Sequence, residues 1–116
     1  MDDASLISNI FSIFPMVRYA AIWENNEKTH GGMRKNIESY FSDEDEKASI
    51  IYQIKRWSDD NGSDSLGSNQ YSLIVKDKVR LYTINLMKNK FLMVSTEPDV
   101  MGDGLVNSIL ELNNFN

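Results

Sequence analysis

Apolar residues recur along this chain in two alternating rhythms, and their succession predicts its elements. Leu6, Ile7, Ile10, Phe11 and Phe14 repeat at helical spacing, with Asp2, Asp3 and Ser5 near the start as capping candidates. Pro15 ends that helix near Phe14, since proline restrains the residue before it and donates no backbone hydrogen bond. The run from Met16 to Trp23 then reads as a buried strand. Asn tolerates the left-handed region, so Glu24-Asn25-Asn26-Glu27 reads as a tight turn and Lys28 to Met33 as the returning antiparallel strand.

Ser42-Asp43-Glu44-Asp45 is the clearest helix start in the chain. The Ser42 hydroxyl suits orphan backbone amides, and the acids oppose the positive end of the helix dipole. Ile50, Ile51, Ile54 and Trp57 continue one apolar face to about Ser58, a stripe expected to pack on a sheet. Three strand-like runs follow: Tyr71 to Val75, Val79 to Leu86 and Phe91 to Ser95. The short links Lys76-Asp77-Lys78 and Lys88-Asn89 force antiparallel hairpins. In the middle strand neither face is polar, which predicts cover on both: helices on one and, as the expectation stands, a second subunit on the other. Glu97-Pro98-Asp99 stops the last strand and opens a helix carrying Met101, Leu105, Val106, Ile109, Leu110 and Leu112, while Asn113 to Asn116 reads as a loose tail.

The order is thus αββαβββα, an α+β pattern of a size that builds one core, so residues 1–116 are read as a single domain. With 41% hydrophobic and 25% charged residues the composition is that of a folded globular protein. No cysteine is present, which excludes disulfides, thiolate nucleophiles and thiolate zinc sites, and suits a reducing compartment. No apolar run approaches the roughly 18 residues that span a bilayer, and Met1-Asp2-Asp3 lacks the basic start of a signal peptide. A cytoplasmic location and no membrane contact are expected. The net charge of −5 argues against nucleic acid, which is held by Lys and Arg on phosphates. Acids crowd Glu38 to Asp64, whereas Lys76, Lys78, Arg80, Lys88 and Lys90 gather on the three-strand unit. That asymmetry suits either a charged protein partner or a plain solvated surface.

Candidate chemistry is sparse. Gly31-Gly32 lacks the GxxxxGK[ST] frame of a phosphate loop and reads as a bulge or a close backbone approach. His30 has no ligand partner at metal spacing. Asp59 to Asp64 fits no register of a calcium loop, and the paired carboxylates at Asp43 to Glu46 and Asp59-Asp60 have no nucleophile or base beside them. No catalytic residue, cofactor or metal site is assigned.

The element order resembles that of roadblock/LC7 domains and, more distantly, longin and profilin-like folds. Shorter fragments look like a small uncharacterised archaeal family: Val17-Arg18-Tyr19-Ala20-Ala21-Ile22, Gly31-Gly32, Ser65-Leu66-Gly67, Tyr71, Lys78-Val79 and Phe91 to Asp99. The resemblance implies a single five-stranded antiparallel sheet flanked by helices. It also implies a non-enzymatic, homodimeric interaction or scaffold module presenting a surface to a small GTPase or signalling protein. Under that reading Tyr19, Trp23, Tyr82, Ile84 and Leu86 are interface candidates, because aromatic and aliphatic side chains concentrate binding energy where water is excluded; the competing reading makes them core. The alternative function is small-molecule sensing in a pocket between sheet and helix, lined by Trp23, Tyr52, Trp57 and Met93.

Overall fold

Local sequence chemistry sets most element ends in the computed structural model, which describes residues 1–60, 67, 69–98 and 102–114. Helix α1 (Asp3–Ile13) is capped by Asp2, whose side chain accepts from the Ser5 backbone N–H at 2.8 Å. That bond holds the Asp2 carboxyl below its ordinary range. Helix α2 (Asp43–Asp60) starts where the Ser42 hydroxyl accepts from the Asp45 N–H at 3.1 Å. Strands β1 (Val17–Glu24) and β2 (Glu27–Met33) are joined through Asn25 and Asn26, with φ of 52° and 65°. Two successive positive values give the primed turn whose twist matches the strands it joins.

Strands β3 (Tyr71–Val75), β4 (Arg80–Met87) and β5 (Lys90–Thr96) precede helix α3 (Gly102–Asn114). All five strands form one antiparallel sheet in the order β2-β1-β5-β4-β3, so the last hairpin strand docks beside the first strand of the chain. The αββαβββα order and the α+β class are those read from the sequence. Two details differ. Asn113 and Asn114 belong to α3 rather than to a loose tail, and the described part of that helix begins at Gly102; its expected opening at Asp99 and the calcium-like stretch at 61–64 lie outside the described residues.

Over β1 and β5 both sheet faces are covered by the chain itself, whereas the β4–β3 end is covered on the α1–α3 face and stays partly open on the other. Pleating sends Ala20, Ile22, Tyr82, Ile84, Leu92 and Val94 to the face where α1 and α3 contribute Leu6, Ile7, Ile10, Leu105, Val106 and Ile109. The other face carries Tyr19, Ala21, Trp23, Phe91 and Met93 under Ile50, Ile54 and Trp57 of α2. Burying each such large side chain contributes about 1.5–3 kcal/mol, and Trp57 meets Phe91 edge to face at 5.7 Å. Gly31 lies beside Ala20, where an added Cβ would stand 2.1 Å from the carbonyl oxygen. It is therefore the close-approach residue, and the β1–β2 register shift falls between Ile22 and Trp23 instead.

Candidate functional site

The sheet ends unequally at its two edges. Edge strand β2 contains Glu27, Lys28, His30 and two glycines, features that discourage pairing with another strand. Edge strand β3 reads Tyr-Ser-Leu-Ile-Val and has no charged residue. Ile74 and Val75 are 39% and 60% exposed, and they point to opposite faces because their β4 partners are Leu81 and Arg80. An apolar edge of this kind is a pairing template unless something covers it.

Helix α2 lies over β1 and β5 and leaves a gap towards β4. The gap is a cavity of about 60 Å³ with Val79, Leu81, Met93 and Ser95 on the sheet side and Ser49, Ile50, Gln53 and Glu46 on the helix side. Tyr40 and Phe41 stand at its rim on the segment that joins β2 to α2. That segment is held by two arginines. Arg34 donates from Nε to the Val17 carbonyl at 2.7 Å and from Nη2 to that of Phe14 at 2.8 Å. Arg18 donates to Glu97 Oε1 at 3.1 Å and to the Glu38 carbonyl at 3.0 Å, with its guanidinium 4.6 Å from the Tyr40 ring centre.

A hydrogen-bonded row closes the inner end. Trp23 Nε1 donates to the Tyr19 hydroxyl at 3.1 Å, Tyr19 donates to Glu46 Oε1 at 2.7 Å, and Lys28 Nζ lies 3.4 Å from the same oxygen. Burial raises the Tyr19 phenol far above its ordinary value, and the bond to Glu46 adds to that rise. Across the gap the Thr83 hydroxyl donates to Gln53 Oε1 at 3.3 Å. Among the described residues, no group of three His, Asp or Glu side chains stands close enough to hold a metal ion.

The residues singled out from sequence are distributed differently from expectation. Tyr19, Trp23, Tyr82 and Ile84 are buried within the chain's own core, and Leu86 is half-buried against it. As folded here, the first four offer no surface to a partner. Of the four pocket candidates only Met93 lines the cavity; Trp23 and Trp57 are packed into the core beneath α2, and Tyr52 is 62% exposed on the outer side of that helix. Glu46, Gln53 and Arg18 were not picked out by spacing, since the partners that bring them to the site from other elements lie 18 to 79 residues away along the chain.

No protein-family model matches the chain, and no curated protein matches its sequence. Solved structures do. A roadblock/LC7 domain from Streptomyces avermitilis superposes with a TM-score of 0.71 at 11% identity, covering 97% of this chain and 92% of that one. MglC from Myxococcus xanthus gives 0.60 at 10% identity, covering 93% and 89%. No helix among the described residues is long and apolar enough to cross a membrane. Identity this low speaks for architecture alone, and on architecture the answer is plain: the chain has the roadblock/LC7 fold.

Proposed function

We propose that the 116 residues act as one cytoplasmic, non-enzymatic interaction module. In this reading the module pairs with a second copy of itself and presents its remaining surface to a small GTPase or signalling protein. The observation that carries the reading is the uncharged, exposed edge strand β3, which contrasts with the charged and glycine-kinked edge at β2. Pairing two β3 strands antiparallel about a two-fold axis would continue the sheet and bury Ile74 and Val75. The five interface candidates read from the sequence give way here to Ile74 and Val75, because four of them are already enclosed. Multi-angle light scattering after size exclusion tests the reading: a mass near twice 13.3 kDa at micromolar concentration is expected, and a strict monomer would overturn it.

Small-molecule sensing is a second reading, favoured by the cavity between α2 and β4. It requires no partner subunit, and ligand-dependent melting tests it independently.

A further inference from the structure

The backbone of β3 limits how a second strand can lie on its open edge. The Gln70 carbonyl accepts from the Asn85 N–H at 2.9 Å, and the Lys76 N–H donates to the Val79 carbonyl at 2.9 Å. In the β3–β4 register Ile74 stands opposite Leu81 and Val75 opposite Arg80. Alternation along an antiparallel ladder then turns the polar backbone groups of Ser72 and Ile74 towards β4 and those of Leu73 and Val75 outwards. A second copy bonded antiparallel to this edge must set its own outward residues opposite these. About a two-fold axis, one residue of β3 therefore faces its own counterpart.

Side chains select which residue that is, because register follows the apolar pattern. A ladder centred on Ser72, Leu73 or Val75 sets Ile74 against Gln70, Ser72 or Lys76 of the second copy. A centre at Tyr71 carries Ile74 past the end of the opposite strand. Centred on Ile74, the ladder sets Ile74 on Ile74 and Val75 on Leu73, so both exposed side chains of the edge gain an apolar neighbour. Leu73 already packs against the α1–α3 core, which Val75 of the second copy would extend across the seam. Lys76 falls opposite the neutral Ser72, so no like charges meet. For two chains of net charge −5, this uncharged edge is a place where approach meets little repulsion.

We propose that two copies of the chain join through β3 in this one register, Ile74 facing Ile74 on the α2 side and Val75 meeting Leu73 on the α1–α3 side. The inference rests on the self-pairing reading and adds the contacts that fix it.

The chain has no cysteine, so single-cysteine variants report the seam without background. Ile74 and its counterpart form a pair outside the ladder's hydrogen bonds, where Cα atoms stand about 4.5 Å apart, within reach of a disulfide. Ser72→Cys, Leu73→Cys, Ile74→Cys and Val75→Cys, each checked for folding by circular dichroism, are oxidised with glutathione disulfide. Two protein thiols become one disulfide, and the oxidant leaves as two glutathione thiols. Ile74→Cys is expected to form the covalent dimer at least about ten-fold faster than the other three. An equimolar mixture of Leu73→Cys and Val75→Cys should cross-link faster than either variant alone. Fastest cross-linking at Ser72, Leu73 or Val75 overturns the register while pairing through β3 stands. No cross-link at any of the four, in a chain that weighs twice 13.3 kDa by light scattering, overturns the β3 seam and the register together. A wild-type mass near 13.3 kDa removes the self-pairing reading itself, and the register with it.

Discussion

Tyr19 and Tyr82 are both buried, yet their hydroxyls stand in opposite situations. The Tyr19 hydroxyl donates to Glu46 and accepts from Trp23, whereas the Tyr82 hydroxyl is buried with no hydrogen-bond partner among the described residues. Tyr19→Phe therefore leaves a buried indole N–H unsatisfied and should cost about 1–3 kcal/mol in urea unfolding. Tyr82→Phe removes an orphan and should be neutral or stabilising by up to about 1 kcal/mol. Tyr19 also gives the fold an alkaline limit. Its folded value lies above the ordinary 10.0, so its contribution is complete below pH 10 and drains as pH rises further, when the unfolded chain releases a proton the folded chain keeps. Wild type should lose stability by up to about 1.4 kcal/mol per pH unit more steeply than Tyr19→Phe above pH 10. Gly31 poses a steric problem instead. With φ at +89° and the Ala20 carbonyl 2.1 Å from any added Cβ, Gly31→Ala must push β2 off β1 and should cost about 2–4 kcal/mol.

Between elements, the Arg34 guanidinium joins β2 to the α1–β1 corner by bonds to the Phe14 and Val17 carbonyls, and it stacks on Phe11 with a 5.0 Å separation. Lysine offers the charge without the planar fork, so Arg34→Lys should cost about 1.5–3 kcal/mol and increase amide exchange across 35–41. The contacts of Arg34 explain what the sequence did and did not disclose. Element identity was legible because it depends on neighbours: Pro15 stopping α1, two asparagines turning the first hairpin, Ser42 starting α2. The β4 pattern likewise announced two covered faces. What it withheld was that α2 settles over β1 and β5 rather than over β4, since no local spacing says where on the sheet a helix returns after β2. The site was hidden for the same reason. Glu46 reads along the chain as one acid among four at a helix start, and only the fold brings it to Tyr19, 27 residues earlier. Asn113 and Asn114 misled in the other direction: their weak propensity suggested a frayed tail, but the preceding turns of α3 are anchored by Leu105, Val106 and Ile109 and carry the helix through them.

For the whole molecule, the decisive distinction is between residues that hold the chain together and residues that would hold two chains together. Ile84 and Ile74 separate these roles although both lie on neighbouring strands. Ile84 is wholly enclosed between the sheet and the α1–α3 layer, so Ile84→Arg places a charge where neither water nor a counter-ion reaches it. Loss of the cooperative melting transition is expected, whatever the oligomeric state. Ile74 sits on the outer strand, 39% exposed and facing the α2 side, where a lysine can extend into solvent. Ile74→Lys should leave the far-ultraviolet spectrum unchanged and alter stability by only about 0.5 kcal/mol in a monomer. If β3 joins two copies, however, a two-fold axis sets each introduced charge against the strand of the other copy, and like charges brought close repel. Light scattering should then report a mass near 13.3 kDa for Ile74→Lys under conditions where the wild-type chain weighs twice that. A variant that remains a folded dimer would exclude the β3 edge and turn attention to the outer face of α2 around Tyr52.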